Sequence, residues 1–278
     1  MQLALPRYYI RRIWRAIVEF ELLSDGDRVL VGFSGGKDSS FLIYALQALQ
    51  AKSPFDFTVG SVHVDLGFAE PSAAGMLEDF CRQLEVPFYL EQTQIAHTAL
   101  KEGRHNPCST CAYFRRAVVN KVAVTHGYNK VALAHHHDDA VETFLMSQLY
   151  SGQLQTFLPK SFLDKSGLTV IRPLVYLREA KIRQFIEELP YEPMPSRCPL
   201  QGKTHRWKVK ELIRELTSEN ESVYTNIAAA MREGDNMELW PTLAGREEMR
   251  EKHLRIMRPT ISPGEYESEV LGFPRGSR

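Results

Sequence analysis

Three groups of residues have the types and spacing to do chemistry: Ser34-Gly35-Gly36-Lys37-Asp38-Ser39, His135-His136-His137-Asp138-Asp139, and the cysteines 108, 111 and 198. In the first, two glycines allow close backbone approach, hydroxyls stand at both ends, and a lysine adds charge. Backbone N–H groups of such a turn, opening onto a helix N-terminus, make a cradle for phosphate oxygens. The loop has neither the GxxxxGK spacing of a Walker A loop nor GxGxxG, and the plain alternative is a chance strand–SGG–helix turn. A carboxylate beside phosphates would repel them. Asp38 is therefore read as a ligand for Mg²⁺, which would offset the phosphate charge.

In the second group, Asp138 and Asp139 at a helix start would at the least complement the helix dipole. Three adjacent histidines suggest a metal site. On a strand, however, neighbouring side chains alternate between faces and cannot all reach one ion. His137 is read as structural; His135, His136 and Asp139 are read as either nucleotide-site or structural residues. In the third group, Cys108-Ser109-Thr110-Cys111 opens a predicted helix, and Cys198 lies in a Pro-flanked irregular loop. By itself a CxxC is open between zinc, an iron–sulfur cluster and a redox pair. The fourth cysteine, Cys81, lies in an apolar helix and is read as an inert core residue.

These groups need elements to position them. Apolar periodicity predicts a helix over 8–23, a turn at 24–27, and a strand over 29–33 that runs into the Ser34 loop and a helix. Strands follow at 57–68 and 87–93, with helices over 74–85 and 109–126. The segment 130–137 reads as a strand, 138–150 as a helix, 168–174 as a strand and 178–189 as a helix. This alternation implies an α/β fold, a parallel sheet with helices on both faces. Ligands of such sheets sit beyond the carboxyl ends of the strands. The Ser34 loop, Asp65 and the His/Asp segment each follow a strand directly, so all three are expected on one rim. From Pro190 the texture becomes irregular, 204–232 reads as helical, and the stretch from 259 is rich in Gly, Pro and Ser. The expected division is an N-terminal helix (1–24), a nucleotide-binding α/β domain (25–190), a Cys198 loop with a helical region (191–258), and a flexible tail (259–278).

The SGGKDS loop matches, at every fixed position, the SGGxDS signature of the PP-loop ATP pyrophosphatase superfamily, which the chain resembles. Residues 134–143 resemble the HHxDDxxET stretch of its lysidine synthetases and tRNA thiolases. With the CxxC before that stretch and one cysteine after it, the chain resembles the tRNA 2-thiocytidine synthetase (TtcA) family over roughly residues 8–215. The resemblance implies the adenine nucleotide alpha-hydrolase-like fold and a 4Fe–4S cluster held by Cys108, Cys111 and Cys198, with one iron free of protein ligands. It implies ATP and Mg²⁺ as cofactors, and a nucleotide site made by Ser34, Gly35, Gly36, Lys37, Asp38, Ser39, Asp65 and His135. Lys37, Asp38, Asp139 and the three cysteines would carry catalysis. The reaction implied is adenylation of a pyrimidine carbonyl, such as cytidine C2 of a tRNA anticodon loop, then replacement of its oxygen by sulfur. Two departures stand out: Cys198 lacks a neighbouring second cysteine, and the segment after 216 matches nothing recognisable.

Bulk composition bounds the partners. The 278 residues carry 34 Lys+Arg and 34 Asp+Glu, a formal net charge of zero, so only local basic clusters can bind RNA. One such cluster is Arg197, Lys203, Arg206, Lys208 and Lys210 with Trp207 among them; others are Arg11, Arg12 and Arg15, and Arg115 with Arg116. Arg206, Lys208, Lys210, Arg115 and Arg116 are taken as the RNA contacts, and Trp207 as either a stacking platform or a core anchor. Neither a signal peptide nor a membrane span is apparent, so a cytoplasmic enzyme without membrane partners is expected. Its partners would be tRNA and a sulfur donor, sulfide or a cysteine desulfurase system, with a homodimer implied only by the resemblance. The rival readings are a lysidine-type ligase using amine attack, a sulfurtransferase for another RNA position or a small molecule, and a non-catalytic metal or nucleotide sensor. Three cysteines and a histidine on structural zinc is the alternative for the thiols.

Overall fold

The computed structural model describes residues 3–68, 74–101, 106–189, 191–232, 239–241 and 243–257. In chain order the elements are α1 (Arg7–Glu19), β1 (Asp27–Gly32), α2 (Lys37–Gln50), β2 (Phe57–Asp65), α3 (Ala74–Gln83) and β3 (Phe88–Gln92). Then come α4 (Ile95–Ala99), α5 (Pro107–Thr125), β4 (Lys130–Ala132), α6 (His137–Ser151), β5 (Lys160–Leu163) and β6 (Leu168–Ile171). Four helices follow: α7 (Glu179–Glu187), α8 (His205–Glu219), α9 (Ser222–Ala230) and α10 (Arg246–Ile256).

The strands form one sheet in the order β3-β2-β1-β4-β6-β5. The centre is parallel: β1 pairs with β2 on one side and β4 on the other, and β4 pairs with β6. Val29, Leu30 and Val31 of β1 are fully buried, as a central strand covered on both faces must be. From β1 the chain winds outward through β2 and β3, then crosses to β4 and β6. The strand order therefore reverses between β1 and β4, and the carboxyl ends at that switch point are where a ligand crevice opens. The loop 33–36 leaves β1 there and the His/Asp segment leaves β4 beside it. Helix α5 returns from β3 to β4, so its N-terminus, with the CxxC, starts at the same rim.

Local chemistry explains the element ends. Pro107 opens α5 in its first turn, where a missing N–H costs nothing. A reciprocal capping box starts α6: the His136 side chain accepts from Asp139 N, and the Asp139 carboxylate accepts from His136 N. Gly152, at φ 64, stops that helix in the left-handed conformation.

Three expectations change. The sheet is not wholly parallel, because β5 pairs antiparallel with β6 at the edge; its short stretch of alternating exposure carries little apolar signal. Residues 204–232 are two helices, broken at Asn220–Glu221 between α8 and α9. His135 and His136 lie in the loop after β4 and His137 begins α6, so the histidines diverge by a turn of the chain and not by strand alternation. The expected tail, 259–278, lies outside the described residues.

Candidate active site

The phosphate loop is held by its own hydroxyls. Ser39 Oγ accepts from Ser34 N at 3.2 Å, lies 3.0 Å from Ser34 Oγ, and donates to Gly36 O at 3.0 Å. Gly35 has φ +80, and a Cβ there would stand 2.7 Å from the Met194 sulfur, so only glycine fits. Its carbonyl accepts from Tyr191 Oη and from Met194 N, each at 2.9 Å. A strap from the segment after α7 thus closes over the loop and leads directly to Cys198.

Charge gathers at the loop's exit. Lys37 Nζ lies 2.9 Å from Asp38 Oδ2 and 2.9 Å from Glu179 Oε1. Lys210 Nζ meets the other Glu179 oxygen at 2.5 Å. Burial alone would raise the Glu179 carboxyl, but the hydrogen bonds from Lys210 and Lys37 outweigh it and hold the group at about 2. Asp38 Oδ1 is buried without a hydrogen-bond partner, and the buried His136 offers Nε2 only at 3.9 Å. A sealed, unpartnered carboxylate oxygen beside a phosphate cradle suits a hard divalent cation, so the residues fit Mg²⁺.

Next to β4, His135 packs its ring on Phe157 at 4.9 Å. Burial, and then Arg172, push its imidazole down to about 3, and its Nδ1 is buried without a partner. His137 is tied to Tyr224 Oη at 2.6 Å, the structural role expected of it. Arg178 lies 3.5 Å over the same Tyr224 ring and binds Asp138 at 2.9 Å. Arg206 approaches Asp139 at 3.4 Å and Glu142 at 3.5 Å, and donates to Thr143 Oγ1 at 3.0 Å. Burial, followed by the Asp139 charge, pushes the Glu142 carboxyl up to about 7. Asp65 ends β2, where Oδ1 accepts from Gly67 N at 3.0 Å. Its charge acts on His63, whose ring bonds Phe33 O at 2.8 Å just before the loop.

Cys108 and Cys111 sit three apart on one face of α5. Cys108 is exposed, while Cys111 and Cys198 are half-buried. Burial raises the Cys111 thiol, Arg115 opposes that, and the charges of Cys198 and Cys108 add to it. The Cys111 thiol is thus within electrostatic reach of the other two, although no three His, Cys, Asp or Glu among the described residues close around a single ion. A cuboidal cluster gives each thiolate a separate iron, so its ligands stand wider apart than those of one ion. The donor set fits such a cluster. Cys81 is buried against Ser61 Oγ at 3.2 Å, with its thiol raised to about 11 by burial, as an inert core residue should be.

The expected RNA contacts divide. Arg115, Arg116 and Lys208 are exposed. Arg206 and Lys210 are half-buried, and both meet carboxylates, Asp139 and Glu142 for Arg206 and Glu179 for Lys210. Trp207 is 47% exposed, which removes it from the core. Glu179, Glu142, Tyr191 and Met194 join the site without having been singled out from sequence. Glu142 alone carried a signal, as the acid of the 134–143 stretch.

Comparisons with known proteins bear on the family and the fold. A family model described as PP-loop domain matches residues 9–192. A protein named tRNA-cytidine(32) 2-sulfurtransferase from Anaeromyxobacter dehalogenans (strain 2CP-C) is 38% identical over 232 residues, covering 82% of this chain and 79% of that one. One of the same name from Geobacter metallireducens is 35% identical over 229 residues, covering 79% and 86%. Among solved structures, the U34-tRNA thiolase NcsA from Methanococcus maripaludis with its 4Fe–4S cluster aligns at a TM-score of 0.65 and 19% identity. That alignment covers 80% of this chain and 76% of that one, a likeness of fold.

Proposed function

The chain belongs to the PP-loop domain family and, within it, to the tRNA-cytidine(32) 2-sulfurtransferases, and from that premise we propose how its residues carry out ATP-dependent thiolation of a tRNA cytidine. What most supports the reading is a phosphate loop with an orphaned carboxylate oxygen, Asp38 Oδ1, together with a Cys111 thiol that feels the charges of Cys108 and Cys198.

The loop from Ser34 to Ser39 cradles the β- and γ-phosphates of ATP with its backbone N–H groups, and Lys37 offsets their charge. Asp38 would hold Mg²⁺ through Oδ1, which supplies positive charge where pyrophosphate departs. The cytidine O2 attacks the α-phosphorus and pyrophosphate leaves. Hydrosulfide or an equivalent sulfur nucleophile then adds at C2, and AMP leaves with the former carbonyl oxygen. Oxide could not leave unaided; adenylation makes it a leaving group. When bound, a 4Fe–4S cluster on Cys108, Cys111 and Cys198 would supply an iron without a protein ligand at which sulfide can be presented. Asp139, held by the capping box, keeps His136 facing Asp38. His135 stays neutral and offers Nδ1 to the nucleotide or base, and Asp65 borders the nucleotide site from β2. Arg115, Arg116 and Lys208 contact RNA phosphates from the surface.

A sulfide or cysteine-desulfurase donor, a homodimer and a cytoplasmic location complete the proposal. No helix among the described residues is long and apolar enough to cross a membrane. The test is iron and acid-labile sulfide in protein purified without oxygen, together with AMP and pyrophosphate release on adding tRNA. Iron and sulfide in near-equal amounts, lost in Cys198→Ala, are expected. Zinc alone, or no metal after attempted cluster reconstitution, would return the amine-ligase reading, and undiminished thiolation in Cys198→Ala would remove that cysteine from the site.

A further inference from the structure

The basic run 197–210 has a cation on each side of α8. Lys208 and Trp207 are exposed. Arg206 and Lys210, one helical turn apart and so on one face, both point into the site: Arg206 to Asp139 and Glu142, Lys210 to Glu179. Glu179 is the joint. One of its oxygens takes Lys37 of the phosphate loop at 2.9 Å and the other takes Lys210 at 2.5 Å. Two ammonium groups from distant parts of the chain therefore bracket a single ionised carboxylate, at the mouth of a cradle built for phosphate. A phosphate group presents the same kind of oxygen edge with more charge.

We propose that Lys210 is a second cation of the pyrophosphate site, brought to the phosphate loop by α8, and that Glu179 parks both lysines until a polyphosphate arrives. The Lys210 side chain is 43% exposed, against 14% for Glu179, so an entering ligand can reach the lysine while the carboxylate stays behind it. The ligand class follows from this geometry: a nucleoside triphosphate or inorganic pyrophosphate, whose β- and γ-phosphates reach both ammonium groups, and not a monophosphate.

This inference rests on the ATP-using reading, and its test separates the two. Equilibrium binding of ATP, pyrophosphate and AMP with Mg²⁺ is measured on the full chain and on Lys210→Ala, Lys210→Arg and Lys208→Ala. Lys210→Ala is expected to weaken ATP and pyrophosphate about tenfold, roughly 1.4 kcal/mol, with AMP within about twofold. Lys210→Arg should recover most of the loss, and Lys208→Ala should leave all three ligands unchanged. The salt dependence of tRNA binding should not change in Lys210→Ala. If Lys210→Ala does not fold, Lys210→Gln carries the same expectation. Unchanged ATP and pyrophosphate binding, an equal loss for AMP, or a salt slope shallower by about 0.7–0.9 would each overturn the proposal. Absence of ATP binding in the parent would overturn the ATP-using reading as well.

Discussion

Glu142 lies within α6, sealed from water, with Arg206 3.5 Å away and the Asp139 charge beside it. Burial dominates, so its carboxyl moves from 4.5 up to about 7. A raised folded value means that the native state keeps the proton longer than the unfolded chain does. This contribution to stability is therefore complete below 4.5 and is lost as pH rises through about 7. Glu142→Gln, which keeps the shape but cannot ionise, should gain stability over the parent across that window and hold a constant gain above it. Urea unfolding at a series of pH values reads this directly, and a difference independent of pH would refute it. The acid itself stands in plain view in the sequence. Its protonation does not, because that depends on burial and on the neighbouring Asp139 charge, which together outweigh the opposing Arg206.

The strand–loop–helix unit of β1, the phosphate loop and α2 was legible because each part carries its own signal: buried β-branched residues, two glycines, then a helical run. The shared rim was legible for the same reason, since strands that alternate with helices leave one place for their following loops. What could not be read were contacts between elements far apart in the chain. Glu179 looks like any acid in the first turn of α7, and only folding sets Lys37 and Lys210 on it. The antiparallel β5 escaped notice because an exposed edge strand needs little apolar patterning. At this scale Gly35→Ala is the informative change. It forces a side chain into positive φ and onto Met194 and Leu77, and should cost about 1–3 kcal/mol of stability and weaken ATP binding. A urea midpoint and ATP affinity both equal to the parent's would show that the strap can yield.

Across the described residues, the end of α1 and the segment after α9 are stitched to one core. Trp240 is 1% exposed, donates Nε1 to Phe157 O at 2.9 Å, and packs on Phe20 at 5.6 Å and Tyr176 at 6.0 Å. Arg232 binds Glu19 at 3.0 Å and lies over the same three rings. Sequence left the region after 216 without a role, yet its Tyr224 braces His137 and its Trp240 fills the core beneath α1. Trp240→Ala should cost about 3–5 kcal/mol, measured by urea unfolding; a loss below about 1 kcal/mol would mean that the segment rests on the body without stabilising it.

The strap has a further consequence for how such a domain can be inherited. The family pattern ends at residue 192, between two residues that both bond Gly35 O, Tyr191 and Met194. A cassette cut at that border and grafted onto another protein would carry the nucleotide loop but leave half of its clasp behind. A border set beyond Met194 would keep both halves of the clasp with the loop, and Cys198 stands only four positions further on.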